Sequence, residues 1–262
     1  MSKQQLEDAL KRQLCANRKI FVPYIMAGDG GLECLAERIH FLKECGATAI
    51  ELGIPFSDPV ADGPTIQAAG KRALNNGTTL NKVLTTLQNM KESRAIPIIL
   101  MTYLNPIYAY GIDKFAEDCN DAGVAGVIIP DLPLEEENLV LNHLQNYGIA
   151  FIRLAALTSS KKRLKEIAQR TEGFLYAVSV TGTTGSRSTH QNNVKDYLNQ
   201  LKKMTDVPVL AGFGVSNPQQ AQELGSACDG VIVGSKIVDL FHQGKTTEIK
   251  SLLQESINTA VF

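Results

Sequence analysis

The densest chemistry in the chain lies in ELGIPFSDPVADGP, residues 51–64. Glu51 closes a short apolar run, residues 47–50, that reads as a strand bounded by Gly46 and Gly53, and Asp58 and Asp62 sit on the loop that follows. Pro55, Pro59 and Pro64 fix φ and remove backbone donors, so neither a helix nor a ladder runs through that loop. Carboxylates at the end of a strand and on the loop after it are where α/β enzymes hold general acids and bases. A plain structural use competes for each acid, because a strand-terminal Glu can simply be hydrogen-bonded and Asp in a Pro/Gly loop commonly bonds its own backbone. Three glycine turns further along bear on the choice: Thr184-Gly185-Ser186, Gly212-Phe213-Gly214 and Gly234-Ser235. Bare backbone N–H groups at such turns, with a helix N-terminus behind them, suit an anion. Lys236, just past the last turn, is placed to help neutralise it.

The elements that must bring these groups together follow from hydrophobic period. Leu6, Leu10 and Leu14 mark an amphipathic N-terminal helix that packs as a lid over one end. Apolar runs at 20–26, 47–52, 96–101, 124–129, 149–155, 174–180, 207–211 and 230–233 read as strands. Between them lie helical faces, among them 32–42, the pair 64–76 and 79–92, 112–122, 160–170 and 194–204. Asn217-Pro218 starts another helix, with Asn as cap and Pro at the first position, and the closing helices run from Ser235 to about Ala260. The strands are apolar throughout instead of alternating, as parallel strands buried on both faces are. A doubly wound open sheet is the competitor. Alternation of eight strands with helices favours closure into a (β/α)8 TIM barrel with an extra N-terminal helix, one domain spanning residues 1–262. In that fold the strand ends converge on one face, which makes Glu51 and Asp131 its acids and puts the last two glycine turns where a phosphate is usually held. The polar segment 181–193 is long for a connection and reads as a lid over a ligand.

Composition narrows the classes. With 44% apolar residues there is material for a core, and a formal charge of −1 argues against nucleic acid or an anionic membrane as the main partner. No apolar run reaches the length of a membrane span and the polar start lacks a signal peptide, so a cytoplasmic protein is expected. Cys15, Cys34, Cys45, Cys119 and Cys228 are scattered, which fits reduced packing residues. His40, His143, His190 and His242 form no cluster for a metal. Cofactor-free acid–base chemistry is what remains.

On FVPYIMAGDG (21–30), ELGIPFSDPVADGP (51–64), TGTTGSR (181–187), AGFGVS (211–216) and VIVGSKIV (231–238), the chain closely resembles the tryptophan synthase α-subunit family over essentially its whole length. The resemblance implies a TIM barrel that cleaves indole-3-glycerol phosphate by a retro-aldol step to indole and glyceraldehyde 3-phosphate. It assigns Glu51 as the proton donor to C3 of the ring and Asp62 as the partner of the indole N–H. Phe21, Leu100, Tyr103 and Phe213 match positions lining the apolar slot for the ring, and Tyr176 matches a tyrosine near the catalytic Glu. Gly185, Gly214, Gly234 and Ser235 match the phosphate turns, and Thr184 the lid threonine that closes toward Asp62. Thr183 departs from the family, standing where an apolar residue is usual. The family implies no cofactor in this chain, and a β-subunit partner that carries pyridoxal phosphate in an α2β2 assembly, with Asp58 at the contact. A barrel that only stimulates a partner, or another phosphate-dependent barrel enzyme, are the competing readings.

Overall fold

Each apolar run forms a strand and all pair in parallel. In the computed structural model, which describes residues 2–178, 187–212 and 214–257 with the side chains of 187–192 left aside, they are β1 (Ile20–Met26), β2 (Ile50–Gly53), β3 (Ile98–Met101), β4 (Gly126–Ile128), β5 (Ala150–Phe151), β6 (Arg153–Ala156), β7 (Leu175–Val178), β8 (Val209–Ala211) and β9 (Gly230–Val233). The sheet order is β5-β4-β3-β2-β1-β9-β8-β7-β6. Its two ends, β5 and β6, are separated on the chain only by Ile152, so residues 150–156 close the ring and the architecture is the expected barrel. β1 shows how stagger between strands accommodates a proline. Ile20–Pro23 register with β9 and Tyr24–Met26 with β2, so Pro23 lies where the pairing changes sides.

The run 149–155 is expected as one strand and is instead broken at Ile152. The reason is that β7 begins only at Leu175, opposite Arg153, leaving Phe151 without a strand on that side. Side chains take the ladder's place. The Phe151 N–H donates to Glu172 Oε2 at 2.9 Å and the Arg153 N–H to Thr171 Oγ1 at 3.1 Å. Arg153 Nη1 donates to the Phe151 carbonyl at 3.2 Å and also to the Arg170 carbonyl. Its Nε meets Glu137 Oε2 at 2.7 Å, both side chains being buried. The seam of the barrel is therefore stitched by polar side chains.

Three further differences concern helices. Leu104–Tyr110 is helical although no helix was expected there, and Asp131 explains its start: Oδ1 accepts from the Leu104 N–H at 2.9 Å. That makes Asp131 an exposed helix cap. A helix begins at Arg187 and runs to Lys202, so the polar segment expected as a lid to residue 193 is helical from 187, and residues 181–186 lie outside the described residues. The expected end of the closing helices near Ala260 also lies outside them, the last described helix being Thr246–Ile257. Among the described residues no helix is long and apolar enough to cross a membrane.

Alternation along the strands sorts the core into two layers. Ile20, Val22, Ala49, Ile99 and Ile128 point inward, and Phe21, Ile50, Leu52, Ile98 and Leu100 point outward against the helices. The N-terminal helix Lys3–Cys15 buries Leu6 and Leu10 among the inward set. Its first N–H donates to the Gly148 carbonyl at 2.9 Å, just before β5, so it seals the end where the strands begin and leaves their far ends open. Replacing Arg153 with Met leaves Glu137 with one bond, from Arg170 Nη1 at 3.0 Å. Urea denaturation is expected to show a loss of about 3–5 kcal/mol, with most of it recovered when Glu137 is also replaced by Leu.

Candidate active site

The open end of the barrel leads into a cavity of about 1100 Å³. Glu51 lies on its wall because strand parity turns it inward between the outward Ile50 and Leu52, and it is 1% exposed. Tyr24 is its register partner on β1 and lines the same cavity. Tyr176 reaches it from β7, its hydroxyl donating to Glu51 Oε2 at 3.5 Å, a long bond. Oε1 has no partner among the described residues.

Two glycines make room for these phenols. A Cβ on Gly212 would stand 1.9 Å from Cε2 of Tyr176, and one on Gly53 would stand 1.9 Å from the Tyr24 hydroxyl. Any side chain at either position would push a phenol away from Glu51. Burial raises the pKa of Glu51 to about 8; Tyr176 donation opposes that and the nearby charge of Asp62 adds to it. Glu51 is therefore mostly a neutral acid at pH 7, able to give a proton.

Asp62 reaches the cavity from the loop after β2. The loop is fixed by its own backbone, with the Asp62 N–H donating to the Pro59 carbonyl at 3.2 Å, and by Tyr103, whose hydroxyl accepts from the Ala61 N–H at 3.0 Å. Gly63 and Pro64 then start the helix Pro64–Asn75 as cap and first residue. Burial raises the Asp62 pKa, and a hydrogen bond with Tyr103 opposes it. Burial also pushes the Tyr103 hydroxyl up to about 12, so it stays protonated. Asp58 is exposed and bonded by the Ser57 hydroxyl.

After β8 and β9, the strands next beyond β1, Gly214, Gly234 and Ser235 line the same cavity together with Lys236. Gly214 has φ +70 and open space where a side chain would sit. Ser235 opens the helix Ser235–His242, so its N-terminal N–H groups border the cavity. The structure thus brings together Glu51, Asp62, Tyr176, Gly214, Gly234 and Ser235. Thr184, Gly185 and Phe213 lie outside the described residues.

Phe21 and Leu100 are corrections. Both were expected on the ring slot, yet each packs outward against the helical layer, one step out of phase with the cavity wall. Tyr24 and Met101 line the wall on the same strands. Phase counted from Glu51 would have found Tyr24, its cross-strand partner. Tyr103 also differs from expectation: it is buried against Phe56, with ring centroids 5.4 Å apart, and it braces the Asp62 loop.

The match to known proteins covers the same ground. The family model described as "Tryptophan synthase alpha chain" matches residues 10–261. The tryptophan synthase alpha chain of Oceanobacillus iheyensis is 59% identical over 262 residues, covering 100% of both chains. The chain belongs to the tryptophan synthase alpha chain family. The relative from Bacillus thuringiensis subsp. konkukian is 49% identical over 237 residues, 90% of this chain and 92% of that one. Among solved structures, tryptophan synthase subunit alpha of Legionella pneumophila superposes with a TM-score of 0.87 at 34% identity, covering 98% of this chain and 97% of the other. A Mycobacterium tuberculosis tryptophan synthase structure gives 0.87 at 32% identity, with 96% of each chain covered.

For this family member the raised Glu51 pKa carries a stability consequence. The folded state holds a proton on Glu51 up to about pH 8, whereas the unfolded chain loses it near the ordinary glutamate value of 4.5. Glu51 therefore lowers stability progressively as pH rises from about 4.5 to about 8. Glu51→Gln should remove this contribution. Denaturant titrations are expected to show the variant gaining on the wild type between pH 5 and pH 8, by on the order of a few kcal/mol.

Proposed function

We propose that this chain is the α subunit of tryptophan synthase and cleaves indole-3-glycerol phosphate to indole and glyceraldehyde 3-phosphate, a carbon–carbon lyase step. The observation that carries the reading is a neutral, buried Glu51 on the wall of a cavity whose rim also offers glycine turns and a helix N-terminus. Indole is a poor carbanion leaving group, so C3 must be protonated before the C–C bond breaks. Glu51 gives its proton to C3, and Asp62 holds the ring N–H as positive charge develops there. The Glu51 carboxylate then takes the proton of the glycerol hydroxyl. The oxygen pair forms the aldehyde C=O, the C–C pair returns to the ring, and both products are released with Glu51 protonated again. Gly214, Gly234 and Ser235 hold the phosphate through backbone N–H groups and the Ser235 hydroxyl, with Lys236 adding positive charge. Thr184 and Gly185 close over it and Phe213 covers the ring.

The chain works as one domain in the cytoplasm and holds no cofactor of its own. Its partner is a β subunit carrying pyridoxal phosphate, in an α2β2 assembly. Supporting this are large apolar side chains left exposed: Val60, 84% exposed on the loop of Asp62 at the cavity, and Tyr108, 73% exposed on the helix Leu104–Tyr110.

Release of indole from indole-3-glycerol phosphate tests the reaction. Glu51→Gln is expected to lose it by about a thousandfold or more and Asp62→Asn by about a hundredfold, without loss of fold. Wild-type turnover in Glu51→Gln would remove the assignment. Because the protonated acid starts the cycle, the rate should fall as pH rises through about 8.

A further inference from the structure

Two complementary groups beside each other on the cavity wall have no partner among the described residues. One is an acceptor, Oε1 of Glu51. The other is a donor, the Tyr24 hydroxyl, on a residue only 6% exposed that lines the cavity. Tyr24 and Glu51 are register partners on adjacent parallel strands, so their side chains project from neighbouring points of the same wall. Gly53, two residues past Glu51, supplies the seat for the hydroxyl, since a Cβ there would stand 1.9 Å from it.

We propose that Tyr24 is a positioning residue for Glu51: its hydroxyl donates a hydrogen bond to Oε1 once Glu51 has given up its proton, holding the carboxylate for the second proton transfer. This rests on Glu51 being the acid of the reaction proposed above. No bond is formed or broken at Tyr24, and its own proton stays on the phenol, whose ionisation is opposed by burial and by the charges of Asp62 and Glu51. The groups facing Glu51 are Tyr24 from β1, Tyr176 from β7 and Asp62 from the loop, with Tyr103 behind Asp62. Met101 of β3 is apolar, and Lys236 and Asp239 border the cavity from the helix Ser235–His242. Tyr176 bonds Oε2, at 3.5 Å. Among the described residues, Tyr24 is thus the hydroxyl on the cavity wall left to serve the other oxygen when the buried carboxylate is charged.

Tyr24→Phe deletes one oxygen and keeps the ring. The readout is the titration of the Glu51 carboxyl in carbon-13 glutamate-labelled protein, its signal assigned by its absence in Glu51→Gln. Losing a bond to the charged form should make Glu51 about tenfold weaker as an acid or more, displacing its midpoint upward by about one pH unit. The value of kcat for indole release should fall about tenfold with KM within about twofold, the expected split for a group acting on the acid alone. An unchanged Glu51 midpoint in a variant with wild-type urea unfolding overturns the proposal. A displaced midpoint with no indole release even from wild type supports the hydrogen bond and removes the reaction, so the two failures are distinct.

Discussion

The structure turns on one constraint: a carboxyl group is held almost out of water with too few hydrogen bonds to keep it ionised. Glu51 is 1% exposed, has a single long contact at Oε2 and none at Oε1 among the described residues. Desolvation therefore dominates and keeps it neutral near pH 7. A carboxylic acid in that state carries a proton at neutral pH that an ordinary carboxylate has already lost. Its stability penalty is borne by the rest of the barrel, as functional sites commonly require.

That penalty is tolerated because the walls are rigid for separate reasons. The inward layer is filled from below by Leu6 and Leu10 of the N-terminal helix, and the outward layer is packed by the surrounding helices. Only the far end of the barrel stays open. The two phenols beside Glu51 stand where they do because Gly53 and Gly212 have no side chains, so the backbone itself sets how close the donors come. Asp62 works differently. It sits on a loop, half-buried, and owes its position to the Tyr103 hydroxyl and to the start of the helix Pro64–Asn75. One acid is fixed by sheet geometry and the other by a brace.

The seam at residues 150–156 shows the same economy. A ring of strands must close where the strand starts are staggered, and here the missing ladder is replaced by Glu172, Thr171 and Arg153. Arg153 and Glu137 are buried as a pair, so the closure depends on both members. The seam lies beside the site: Leu154, next to Arg153 on β6, lines the cavity.

Much of this was legible in the sequence. Continuous apolar runs separated by helical faces determine a parallel α/β alternation, because burial on both faces requires apolar residues at every strand position. The loop of Asp62 was legible from its prolines, and the turns at Gly214 and Gly234 on the cavity rim from their glycines, since both act through local backbone conformation. The resemblance located Glu51 and Asp62 on matching motifs. It failed at Phe21 and Leu100, which neighbour the cavity-lining Tyr24 and Met101 in sequence but point the other way. Which face of an all-apolar strand looks inward is invisible in its own residues and is set by register with its neighbours. The break at Ile152 and the capping role of Asp131 likewise depend on where distant segments begin. So too does the protonation of Glu51, because desolvation is contributed by walls that come from every part of the chain and meet only when the ring closes.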